Sequence, residues 1–251
     1  MHACWQAIMG LPLHWPAGTT PTLQLLLRWV HFIAGITWVG LLYFFVLVNT
    51  PFLAKADATT RAKVIPMLMP RALWWFRWAS VITVLAGIWY WMMIVHADAS
   101  NAQTTGGRAI GTFFGLWTLA FVLEMGILMS PVEFLRRGAV FGFLMTVIIL
   151  AAASLYLTMN SHGWESNRLL AIGIGGGMGW FMMLNVWGIV WRAQKRIIRW
   201  TEESATGPKP IPEQAARLAR VSRLAANTNF VLSFPMLLMM ATASHYPVFA
   251  P

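Results

Sequence analysis

Cysteine is almost missing from this chain: Cys4 is the only one in 251 residues. That excludes an intrachain disulfide, a C-x-x-C-H attachment of haem c, and a zinc site built on a Cys pair. Charge is scarce too, at 10% of residues against roughly a quarter in a soluble domain, and Asp and Glu together number only 8. With 58% hydrophobic residues and a mean hydropathy of +0.62, the shortage of charge argues against a soluble domain and for a bilayer. The first twenty residues, with Trp5, Pro12, His14 and Pro16, lack the basic start and unbroken apolar core of a signal peptide. They read as a short segment at the surface or packed on a helix bundle. No catalytic triad, phosphate-binding loop or metal motif stands out.

What is present in abundance is apolar sequence in runs near the ~20 residues that a transmembrane helix needs. Six can be placed, at about 22–48, 72–96, 109–130, 139–159, 168–192 and 227–245. The reading is an all-α polytopic membrane bundle, one domain over 1–251, with Pro66 and Pro70 in a polar loop before the second span. Pro235 falls inside the sixth span and should kink it. Of the 18 Lys and Arg, all but Arg28, Arg108 and Arg168 fall after the first, third and fifth spans or on the adjoining helix ends. The positive-inside rule then predicts a bacterial inner-membrane protein with both termini on the periplasmic side. The net charge of +10 is read as topology and contact with membrane lipids. No nucleic-acid platform is expected, because basic and aromatic residues do not alternate outside the spans. The segment 193–226 is a basic cytoplasmic loop in this reading. Its Gly207-Pro208-Lys209-Pro210 piece breaks any helix, and AARLARVSRLAA after it is an amphipathic helix lying on the leaflet or docking a partner.

Within the spans, polar residues are few enough to weigh singly. His31 lies about nine residues into the first span, ~13 Å deep at 1.5 Å per residue. A polar side chain at that depth needs a partner. It is a ligand or substrate contact, or a hydrogen-bonded packing histidine. His96, His162 and His245, with His2 and His14, fall on the same outer face, so all 6 histidines lie in the outer half. They are candidate cofactor ligands, with His31 and His245 as candidate metal ligands, or they simply sit at the wet interface. Glu124, deep in the third span, is a candidate proton relay or general base; alternatively it forms a pair with Arg77 that locks two helices. Gly173, Gly175, Gly177 and Gly179 allow close helix contact or make space for a flat cofactor. Met178, Met182, Met183, Met236, Met239 and Met240 are core fillers or soft copper ligands. Trp74, Trp75, Trp78, Trp89 and Trp91 look like interface belts.

Two segments carry a family resemblance. They are LRWVHFIAGITWVGLLYFF at 27–45, with His31 and Trp38 seven apart, and SRLAANTNFVLSFPMLLMMATASHYP at 222–247. The second includes Asn227, Thr228, Asn229, Ser233, Pro235, Met236 and the closing Ser244-His245-Tyr246-Pro247. Together with WWFRW at 74–78, the chain resembles the membrane domain of the bacterial urate hydroxylase (membrane-bound urate oxidase) family. The helix 1 motif is also similar to haem-associated families of the protoporphyrinogen oxidase and copper-resistance D types. The resemblance implies a multi-helix redox domain that hydroxylates urate and passes electrons to a cytochrome c domain after its last helix. Here any such cytochrome is expected to be a separate periplasmic protein. Haem b is the implied cofactor, with copper a further possibility. The competing expectation is a cofactor-free accessory subunit packed against other membrane subunits. Arg77, Trp38, Gly173, Gly177, Asn227, Asn229 and Pro235 are read as packing positions.

Overall fold

The computed structural model describes residues 15–207 and 209–249, and six of its helices are long and apolar enough to cross a membrane. They are α1 (Thr19–Lys55), α2 (Ala58–Asn101), α3 (Gly107–Met129), α4 (Gly138–Met159), α5 (Asn167–Thr206) and α6 (Gln214–Thr242). Among the described residues there is no strand. The protein is a multi-pass membrane helix bundle, as its composition required. His2, Cys4, His14 and the opening segment lie outside the described residues.

Hydrogen bonds between connections fix which residues share an end. At one end, Arg108 donates to His162 at 2.8 Å, the Ser166 amide to Asp98 at 3.2 Å, and the Asn167 amide group to the Tyr246 carbonyl at 2.9 Å. At the other, basic end, Arg220 donates to the Arg136 carbonyl at 3.1 Å. Successive helices therefore run in opposite directions.

α5 is the central helix. In its most apolar stretch 83% of residues are buried, against 22–44% in the other five. Glycine explains why it can sit there. A Cβ on Gly173 would collide with the Tyr156 ring of α4, and one on Gly177 with the Trp117 indole of α3. Without Cβ atoms, two large aromatic rings lie directly on the α5 backbone, and Trp117 Nε1 donates to the Gly173 carbonyl at 3.2 Å.

Several elements depart from the expected boundaries. α2 begins at Ala58 rather than near residue 72, so Pro66 and Pro70 lie inside a helix and not in a loop. Helices at membrane depth tolerate proline when neighbouring groups satisfy the freed carbonyls. The segment 193–226 is not a loop either. α5 continues to Thr206, and the amphipathic stretch is the start of α6, so the connection shrinks to the residues between Gly207 and Glu213. Trp91 is no interface residue: it is 1% exposed and donates to the Leu169 carbonyl at 3.1 Å.

The start of α2 is capped by Asp57, whose carboxylate accepts from the Thr60 amide at 2.9 Å and from the Thr60 hydroxyl at 2.8 Å. The Thr60 amide, first of all, holds the Asp57 carboxyl below the usual carboxylate range. A depressed folded value means the cap stabilises above the ordinary pKa of about 4 and is lost as pH falls through the lower folded one. Asp57→Ala should therefore speed amide exchange at Thr59–Arg61 at neutral pH, with little further change on acidification.

Candidate functional site at the end opposite the basic residues

A cavity of about 400 Å³ opens between α1, α2, α5 and α6, with Phe113 of α3 also lining it. That volume lies within the range of small-molecule sites, roughly 300–1,000 Å³. His31 lies in its wall, and the sequence alone could not say what holds it. Its Nδ1 lies 2.7 Å from the Thr83 carbonyl of α2. A carbonyl only accepts, so Nδ1 carries the proton and donates; in the neutral imidazole Nε2 then holds the free lone pair. Gly87, one turn further along α2, makes the approach possible: a Cβ there would stand 2.9 Å from both His31 Cε1 and Nδ1.

The rest of the wall is mostly apolar. Gly35, Gly40, Gly175, Gly176 and Gly179 contribute bare backbone, and Trp38, Trp91 and Phe113 contribute rings. The glycines of α5 thus divide by face. Gly173 and Gly177 pack against α4 and α3, while Gly175, Gly176 and Gly179 line the cavity. Few polar groups reach it. Trp38 is 2% exposed, and its indole N–H is buried without an acceptor. Arg28, Tyr90 and Ser244 complete the polar set, with Met236 and Met240 as thioethers.

Among the described residues, the other outer histidines do not join His31. His96 and His245 are exposed, and neither lines the cavity. His162 has both ring nitrogens engaged: Nδ1 lies 2.8 Å from Glu165 and Nε2 2.8 Å from Arg108. Among the described residues no three His, Cys, Asp or Glu side chains converge. Among the described residues the expected set of outer histidine ligands is therefore not assembled: His96 is near the end of α2, His162 is held on the α4–α5 connection by Glu165 and Arg108, and His245 follows α6.

Glu124 and Arg77 do not form a pair, and no ion pair among the described residues joins them. The Arg77 guanidinium sits over aromatic rings instead, 4.1 Å from the Trp191 centroid and 5.3 Å from that of Trp187. Cation–π attraction in a desolvated setting replaces the expected carboxylate. Glu124 is fully buried with no hydrogen bond to either carboxyl oxygen, flanked by Asn185 and Thr228 too loosely for hydrogen-bond geometry. The Asn185 Oδ1 is likewise buried without a donor.

Next to this pair, Asn229 locks α6 to α5. Its side-chain amide donates to the Met182 carbonyl at 3.0 Å, and its Oδ1 accepts from Asn185 at 3.0 Å. The π-helical stretch Val186–Val190 begins just after Asn185; such insertions re-aim side chains and are frequent at functional sites. Asn227, read as a packing residue, is instead exposed on the bundle surface. Pro235 lies within α6, between Ser233, which meets the Tyr43 hydroxyl at 2.9 Å, and the cavity residue Met236. Asn229→Leu would leave the Met182 carbonyl and the Asn185 amide unpaired. It should cost about 1–3 kcal/mol in unfolding assays in detergent, and Asn227→Leu much less.

Thr83, Gly87 and Arg28 were missed as site residues. The available signal was Thr83 and Gly87, a small pair four residues apart in an apolar helix, which marks a close helix contact.

Taken together, the fold and cavity define a polytopic membrane bundle with a histidine-bearing pocket near the end opposite most of its basic residues. The sequence matches the Urate oxidase N-terminal family over residues 57–250, and the chain belongs to that family. α1, with His31 and Trp38, precedes the matched segment. Comparisons with curated proteins and with solved structures found no match.

Proposed function

We propose that this chain is the membrane part of a bacterial inner-membrane oxidoreductase, holding a flat redox group or substrate in the His31 cavity and passing electrons to a periplasmic cytochrome c. The observation that carries the reading is the His31–Thr83 contact: an imidazole fixed by its Nδ1–H, with Nε2 free, in a cavity walled by glycine and aromatic rings. Metal-ligating histidines are oriented in this way, the far ring nitrogen donating to a carbonyl or carboxylate. The residues fit haem b. His31 offers an imidazole, Met236 and Met240 bring thioethers to the same cavity, and Gly176 and Gly179, where an added Cβ would meet ordinary contacts or open space, suit a planar ring. Bound there, haem b would supply one-electron chemistry.

The chain's own residues supply the rest. Thr83 and Gly87 set the tautomer and position of His31. Glu124, buried in the bundle interior beside Asn185, is suited to holding and moving protons released by an oxidation. By the positive-inside argument the cavity end faces the periplasm, where a cytochrome c could receive electrons.

Arg28 and the unpaired Trp38 N–H favour a second reading, in which the cavity takes the anionic purine that the family's name implies. Urate-dependent reduction of added cytochrome c by the purified protein in nanodiscs tests the function directly. Wild type should turn over, His31→Ala should lose at least about 100-fold, and Glu124→Gln should keep binding but slow turnover at least about tenfold, within the range of general acid–base contributions. If the wild type gives no reduction and carries no chromophore, the chain is an accessory subunit instead.

A further inference from the structure

A second and larger groove, about 1040 Å³, lies at the basic end between α3 and α5. Its mouth is one face of α5. Arg192, Lys195, Arg196 and Arg199 recur at spacings of three and four, so they share a stripe of the helix. Like charges so close repel unless an anion lies among them. Among the described residues the only carboxylate within ion-pair reach is Glu203, 3.8 Å from Arg199 and also 3.9 Å from Lys209. Arg192, Lys195 and Arg196 have none.

The groove changes character along its length. Trp187 and Trp191 flank its middle, and its inner end is apolar, formed by Phe121, Met125 and Leu184. Gly188 draws α5 close to α3 there, since a Cβ on it would lie 2.7 Å from Phe121 Cζ. Tryptophan favours the level where headgroups meet acyl chains. A soluble anion would use the four cations and leave the apolar end empty. An amphiphile uses both ends.

We propose that this groove binds an anionic phospholipid, its phosphate headgroup among Arg192, Lys195 and Arg196 and an acyl chain along Phe121 and Met125. Basic pockets between transmembrane helices are suited to such headgroups. Because several cations face the mouth, a lipid with two phosphates should be preferred to one with a single phosphate.

The test is native mass spectrometry of the full chain, titrated with cardiolipin, phosphatidylglycerol and phosphatidylcholine, with pyrophosphate as a competing soluble anion. Cardiolipin should bind most tightly, phosphatidylglycerol less, phosphatidylcholine at background, and pyrophosphate should not displace the lipid. The double variant R192Q/R196Q should weaken cardiolipin binding at least about tenfold while eluting as the wild type does. R61Q/K63Q, at the same end but outside the groove, should bind as wild type. Equal loss in the two double variants would reduce the effect to general surface charge, and displacement by pyrophosphate would make the ligand a soluble anion. Either result overturns the proposal, as does unchanged binding in R192Q/R196Q. The readout needs neither turnover nor a chromophore, so it stands apart from the redox function.

Discussion

Gly177→Ala is expected to be among the most damaging single-methyl changes in the bundle. Its Cβ would fall within the Trp117 indole, which is fully buried and donates to the Gly173 carbonyl at 3.2 Å. Trp117 cannot swing into open space, because Phe113 and Ala120, a turn away on the same helix, are also buried. Either the ring moves and its hydrogen bond breaks, or α5 moves and loses its contact with α3. Overpacking costs about 1–3 kcal/mol and orphaning a buried hydrogen-bond group a further ~1–3, so a loss of about 2–6 kcal/mol follows. Gly126→Ala is the matched control. Nothing lies within 4 Å of its added Cβ, and replacing a helical glycine should stabilise by up to about 1 kcal/mol. Unfolding midpoints in one detergent should thus move in opposite directions for the two variants.

The second large effect is functional. Gly87→Ala leaves every polar group of the cavity in place yet sets a methyl 2.9 Å from His31 Cε1 and Nδ1. The imidazole must yield, and the Nδ1–Thr83 bond of 2.7 Å is what gives way. Freed of that bond, His31 loses the contact that fixes its tautomer and aims Nε2. Losing such an outer partner typically costs 10–100-fold in metal affinity, so binding of the cavity's group should fall by that factor while the protein stays folded. A Gly35→Ala change on α1 should do little, since its Cβ would meet Thr83 Cγ2 at an ordinary 3.6 Å. Comparing these two single-methyl variants separates the position of His31 from the mere volume of the cavity.

The spans were legible because lipid demands long apolar runs, and the demand is the same at every point along a helix. Their ends were not. Beyond the bilayer nothing in composition distinguishes a helix that continues from one that stops, so the extension of α5 to Thr206 was read as loop, and the amphipathic helix before the sixth span was not read as continuous with it. Pro66 and Pro70 misled because proline breaks helices in water more surely than in a bundle. At the site, His31 was conspicuous as a lone polar residue at depth, but its partner is a backbone carbonyl, and backbone groups leave no mark in sequence. Glu124 shows the reverse case: a carboxylate at depth suggested Arg77 as one possible partner, and the structure gives Arg77 the faces of Trp187 and Trp191 instead. Trp91 and Trp89 are two residues apart, yet one is core and the other exposed. Only the packing of α5 decides between them.

An optical spectrum of the natively purified full chain, with its iron content, bears most directly on the His31 cavity. A haem band in the wild type, lost in His31→Ala and reduced tenfold or more in Gly87→Ala with both variants still folded, is the predicted result. A wild-type preparation without chromophore or iron, or a band that persists unchanged in His31→Ala, would contradict the assignment of His31 as the residue that holds the group.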